Sequence, residues 1–115
     1  MSRHDPLVSI RQMLDHAREA ATMARGRKRA DLDTDRMLNL SELRLLEVVG
    51  EAAARVPDEF RLRHPEVPWR DAIGLRSRLI HGYDAINLDM VWTVLQNDLP
   101  ELIAALENIV AKESA

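Results

Sequence analysis

The stretch LDMVWTVLQNDLPELIAALENIVAK, residues 88–112, decides the fold class. Leu88, Val91, Leu95, Leu99, Leu102, Leu106, Ile109 and Val110 recur mostly at steps of three and four, so they line one side of an α-helix. Pro100 interrupts the run. It lacks a backbone N–H and should kink the helix or divide it. Upstream, Leu7, Ile10, Leu14, Ala17, Ala21 and Ala24 repeat the same spacing. They predict a first helix over 5–25, with Asp5 as N-cap, Pro6 in the first turn and Gly26 as the stop. A second helix should start at Asp33 or Thr34 and run to about Val56. Leu38, Leu45, Val48, Val49, Ala52 and Val56 share one face, while Leu40, Leu43, Gly50 and Ala54 lie opposite among Glu47 and Glu51. A helix apolar on two sides packs against two neighbours, and a second copy of the chain is one candidate.

Between these runs, Pro57, Pro65 and Pro68 punctuate a connector with room for a short helix over 58–63. A third helix should open at Pro68 or Trp69 and end near Gly82. No segment shows a strand pattern, and no internal repeat is visible. The expectation is a single all-α domain over residues 1–115, an up-and-down bundle of four main antiparallel helices with the last kinked at Pro100.

Composition narrows the class further. Hydrophobic residues make up 46% and charged residues 30%, a balance that excludes a disordered chain. Aromatics are 3%, which favours helix over sheet. The absence of cysteine excludes disulfides, thiolate metal sites and a thiol nucleophile. His4, His16, His64 and His81 are scattered without ligand spacing, so no metal is expected. No run resembles a signal peptide or a membrane span, and the expected location is the cytoplasm. The net charge of −3 is not that of a generic polyanion binder. The basic run Arg25-Gly-Arg-Lys-Arg29 reads either as a solvated loop or as a binding patch.

The third helix carries an anomaly. On an ideal helix Arg76 falls among Trp69, Ile73 and Ile80, in the middle of an apolar stripe. A guanidinium stays charged, so it needs an anion there, either a ligand or a carboxylate such as Glu51 or Glu47 of the second helix. His81 lies about 140° from Arg76 on a regular helix. A helix end at Gly82 would turn it toward the same crevice, or a symmetric dimer would bring one chain's histidine to the other's arginine.

The run Trp69-Arg-Asp-Ala-Ile-Gly-Leu-Arg-Ser-Arg-Leu-Ile-His-Gly-Tyr83 resembles the signature of HEPN-domain ribonuclease toxins of the HepT kind. Their pattern is an arginine, four residues, a histidine, and a tyrosine two further on. Arg76, His81 and Tyr83 fill those places. Leu46-Glu-Val-Val-Gly-Glu-Ala52, Val91-Trp-Thr-Val and Leu99-Pro are similar to the family's flanking helices, and the likeness spans about 37–106. Ser77 stands where the family carries asparagine, a hydroxyl in place of an amide's paired hydrogen bonds.

The resemblance implies a homodimeric, metal-independent endoribonuclease without a cofactor. Arg76 would hold the RNA phosphate and His81 would act as general acid or base, leaving 2′,3′-cyclic phosphate ends. Ser77 and Glu51 would support them. It further implies a toxin–antitoxin pair in which a nucleotidyltransferase antitoxin (the MNT partner) attaches AMP to Tyr83. An alternative is a catalytically silent helical module that dimerises and binds a nucleotidyltransferase; a second is a small nucleotide-binding protein using Arg76 for a ligand phosphate.

Overall fold

The structure, a computed structural model, describes residues 5–81 and 85–114, and of His81 the backbone alone. Helix α1 spans Pro6–Ala24. Asp5 caps it, its carboxylate accepting the Leu7 N–H at 2.9 Å. Gly26 stops it with φ of 75°, a conformation that costs glycine little. The next helix begins later than the sequence suggests. Asp33 and Thr34 belong to a four-residue turn, α2 (Asp31–Thr34), and the cap of α3 (Arg36–Ala54) is Asp35, which accepts the Leu38 N–H at 3.1 Å. That bond, reinforced by Arg27, holds the Asp35 carboxyl below its ordinary range. Asp31, Asp33 and Asp35 all offer capping oxygens, and spacing alone does not choose among them. The expected short helix is present as α4, Asp58–Arg63.

The third helical run departs most from expectation. It divides into α5 (Trp69–Ile73) and α6 (Leu75–Leu79) around Gly74, and it ends three residues before Gly82. A tight turn at the junction places Arg70 O 3.1 Å from where a Cβ on residue 74 would sit. Ile80 and His81 leave the helix as a two-residue strand, β1, paired antiparallel with β2 (Ala85–Ile86); Ile80 faces Ile86 and His81 faces Ala85. These strands are too short to leave an alternating pattern in the sequence.

The last run is α7 (Leu88–Thr93), a π-helical segment (Val94–Asp98) and α8 (Leu99–Glu113). The run is divided just before Pro100, as the sequence suggests, and the division takes the form of a π segment rather than a break in the helical backbone. Leu99 N–H reaches back five residues to Val94 O, and Pro100 falls in the first turn of α8, where its missing N–H is least costly.

Helix α3 lies between α1 on one side and α5 and α6 on the other, while α8 packs against α1. Four helical runs therefore enclose one core, an all-α bundle. Ile10, Met13, Leu46, Val49, Leu79 and Leu106 are completely buried within it. Each such side chain contributes about 1.5–3 kcal/mol on removal from water. The two-sided reading of α3 therefore finds its second neighbour within the chain: Gly50, on the side opposite the main stripe, is buried against α5, with Ala72 O 3.1 Å from its notional Cβ. Among the described residues, no helix is long and apolar enough to cross a membrane.

Candidate active site

The break at Gly74 changes the setting of Arg76. The buried residues of this run are Ala72, Leu75 and Leu79, whereas Trp69, Ile73 and Ile80 form a half-buried shoulder beside them. Arg76 stands on that shoulder and is exposed. The apolar stripe around it is a surface stripe, not the core, so burial does not force a counter-ion. None is found among the described residues. Glu51 and Glu47, the carboxylates that were the alternative to a ligand, face Arg44 instead, at 3.4 and 4.0 Å. Arg76 thus presents a guanidinium open to a ligand. With Ser77, also exposed, and Ile80 it lines a shallow depression of about 230 Å³.

His81 follows five residues later, in β1, one residue past the end of the shoulder. The Ile80 N–H still closes onto Arg76 O, but the Ile80 backbone is already extended, with φ −108° and ψ 122°. The ideal-helix angle between Arg76 and His81 therefore does not apply. What ends the helix is the pairing of 80–81 with 85–86, three positions short of the expected stop. Tyr83 and Gly82 lie outside the described residues.

Two contacts brace this end of the bundle. Arg78 donates to Asp98 at 2.9 Å and lies 3.7 Å from Met90 Sδ, tying α6 to α7 and the π segment. Asn87 N–H donates to Leu79 O at 2.7 Å, fixing the start of α7 to the end of α6. The Arg78–Asp98 pair went unread in the sequence, since twenty residues separate its members. The other expected histidine positions serve local roles. His16 Nδ1 lies 2.7 Å from Gln12 O. His64 is buried between Glu66 and Glu113, at 3.5 and 3.4 Å. Among the described residues, no three histidine, aspartate or glutamate side chains converge as a metal site.

One ionisable residue was missed altogether. Glu42 is completely buried on α3, and among the described residues neither carboxylate oxygen has a hydrogen-bond partner. Burial, with a smaller push from the Glu19 charge, raises its carboxyl to about 8, so it is held neutral at pH 7. Its signal lay in the spacing: Leu38, Glu42, Leu46, Val49 and Ala53 form the buried stripe.

Comparison with known proteins adds to this geometry. Residues 13–109 match the family model described as Ribonuclease HepT-like. A proposed RNase of Caldanaerobacter subterraneus subsp. tengcongensis is 37% identical over 83 residues, covering 72% of this chain and 74% of that protein. A proposed ribonuclease HepT of Thermococcus cleftensis is 33% identical over 79 residues, 69% of this chain and 72% of its own. A proposed RNase of Methanocaldococcus jannaschii is 28% identical across 93% of this chain and 98% of its own. No solved structure gives a significant match.

Proposed function

The chain belongs to the HepT-like ribonuclease family, and from that premise we propose that it is a metal-independent endoribonuclease toxin acting through Arg76 and His81. The observation that carries this reading is the exposed Arg76, without an ion pair among the described residues, one helical turn before the strand that bears His81, inside the matched region. In the proposed reaction the 2′-oxygen of RNA attacks its adjacent phosphorus, the bond to the 5′-oxygen breaks, and a 2′,3′-cyclic phosphate and a 5′-hydroxyl result. Arg76 grips two phosphate oxygens and stabilises the charge that grows on them. His81 takes the 2′-hydroxyl proton or supplies the one the departing 5′-oxygen needs; histidine's ordinary pKa near 6.5 suits either role. Ser77 beside Arg76 offers a hydroxyl to the same phosphate. Glu51, committed to Arg44, supports the site through α3 rather than by touching Arg76.

A homodimer brings two such motifs to one cleft. Leu40, nearly half exposed, with half-buried Leu43 and exposed Ala54, gives α3 an outer face for that contact. Control falls to a nucleotidyltransferase antitoxin that transfers AMP from ATP to the Tyr83 hydroxyl, releasing pyrophosphate and the phenolic proton and leaving a phosphodiester anion to compete with substrate for Arg76.

The test uses the purified, unmodified protein and RNA in EDTA. Cleavage should proceed and leave cyclic phosphate ends. Arg76→Ala and His81→Ala should each lower the rate at least about a hundredfold, the scale for losing an oxyanion donor or an acid–base group. Activity that appears only on adding magnesium, or full activity in His81→Ala, overturns the reading. With the partner enzyme and ATP, intact mass should rise by whole AMP units in the wild type and not in Tyr83→Phe.

A further inference from the structure

The basic run Arg25–Arg29 has no part in the reaction described so far, and the structure gives it a defined place. Arg27 pairs with Asp31 at 3.6 Å and with Asp35. Arg29 pairs with Asp33 at 3.0 Å and with Asp89 at 2.7 Å. These two arginines bind the loop to α2 and to the first turn of α7. Arg25 and Lys28 remain exposed, and among the described residues neither has an ion pair. The run is therefore neither a floppy loop nor a fully neutralised belt: its acids consume alternate cations and leave two facing water.

Beside Arg25 lies a groove of about 350 Å³ between the last turn of α1 and the π segment. Ala21, Ala24, Leu95 and Pro100 supply its apolar surface, Gln96 an amide, and Arg25 and Arg27 its rim. A nucleotide matches those three chemistries. A base lies flat on apolar surface, its edge pairs with an amide that both donates and accepts, and its phosphate meets an arginine fork. The location also fits. Asp89, held by Arg29, sits three residues past Ile86 of β2, which pairs with Ile80 next to His81. From Leu88 to Gln96 the helical rise is about 12 Å, so the groove lies beyond α7, at the π segment, within about that rise of the start of α7 beside the strand that carries the proposed acid–base group.

We propose that this groove, with Arg25 and Lys28, holds a nucleotide of single-stranded RNA away from the cleaved phosphate, making it a second RNA-contact site on the same end of the bundle. The proposal rests on the ribonuclease reading above, but its decisive test is binding, which does not depend on turnover.

The probe is a labelled single strand of about ten nucleotides, within the usual span of such sites, bound to His81→Ala protein so that it stays intact. Adding Arg25→Glu and Lys28→Glu together should weaken binding at least tenfold. It should also flatten the dependence of log affinity on log salt by about 1.4, the value for two lost phosphate contacts on a single strand. Gln96→Ala should narrow the affinity differences among homopolymers. Unchanged binding and salt slope in the double variant overturn the proposal, and so does an equal loss on a dinucleotide too short to span both places. If the parent binds the decamer through Arg25 and Lys28 yet the active protein cleaves no RNA, the ribonuclease reading fails and the groove stands.

Discussion

The two halves of this bundle are built on different terms. Helices α1, α3 and α8 run 19, 19 and 15 residues without a break, and their stripes interlock into most of the core. From Trp69 to Asp98 the chain changes conformation repeatedly: at Gly74, at Ile80, through β1 and β2, and again at the π segment. Every residue proposed to touch the cleaved phosphate or move a proton lies in that second half. The regular half supplies burial and so fixes the fold. The irregular half gives up helical hydrogen bonds, and in return it points Arg76 and Ser77 outward and carries His81 onto a strand. Irregular backbone is where side chains are re-aimed, and long regular helices hold it steady.

The sharpest way to break this division is a pair of substitutions, one in each half. Leu46 is fully buried on α3, and Leu46→Ala should cost about 2–5 kcal/mol through lost transfer energy and the cavity left behind. Its thermal midpoint should fall markedly, with RNA cleavage at low temperature lost only in proportion to the unfolded fraction. Arg76→Ala, on the exposed shoulder, should leave the melting curve within experimental scatter while cleavage drops at least about a hundredfold. A clear destabilisation by Arg76→Ala would mean that the irregular half also holds the fold together.

The regular half has its own flaw in Glu42, and that flaw should respond to pH. An unfolded chain ionises this glutamate near the ordinary value of about 4.3, whereas the folded chain keeps it protonated up to about 8. Below the lower value both states are neutral, so the group has no pH-linked effect. Between the two values the unfolded state releases a proton that the folded state retains, so stability falls as pH rises, and it levels off above about 8. At about 1.4 kcal/mol per pKa unit, the loss across this window is on the order of 3–5 kcal/mol. Glu42→Leu continues the stripe between Leu38 and Leu46 and should be more stable than the wild type. Its advantage, measured as urea midpoints, should widen from pH 5 to pH 8. A gap that does not change with pH would show that water reaches the carboxyl.

The same contrast explains what was legible in the sequence. Helix α1 could be read end to end because its signals are local: Asp5 before Pro6, and Gly26 where φ must be positive. The Asp58–Arg63 helix was bounded by prolines. The π segment was not legible, because only Pro100 marked the strain and the backbone absorbed it upstream. The break at Gly74 was hidden inside an intact apolar period, and extending that period through it placed Arg76 in a buried stripe. On α3 the charged identity of residue 42 drew the stripe toward Leu45 and Val48, although Leu38 and Leu46 on either side pointed to burial. For the site, residue spacing brought Arg76 and His81 to notice and family likeness gave them roles. The exposure of Arg76 depended on a helix break that periodicity does not encode.

The smallest expected effect joins the two halves, at a place where their backbones pack closely. Gly50 sits in the regular α3, and an added Cβ would stand 3.1 Å from Ala72 O of α5 and 3.5 Å from Leu75 Cβ of α6. Replacing it with alanine has two opposing consequences. An interior glycine-to-alanine change favours the helix by about 0.8–1 kcal/mol. The new methyl also crowds a backbone carbonyl that has no rotamer to move, so α5 must shift by a few tenths of an ångström. These terms nearly offset, and Gly50→Ala should change stability by less than about 1 kcal/mol in either direction. Activity should not be so indifferent. The displaced element leads directly into the helix bearing Arg76, and a misplacement of about 1 Å can cost a hundredfold in rate. A shift a few tenths that size should lower cleavage roughly three- to tenfold, as reduced turnover with folding intact. Gly50→Ser, of similar bulk at the Cβ, should act alike. If both variants cleave RNA at the wild-type rate, the irregular half adjusts freely on its support, and the rigid coupling between halves is wrong.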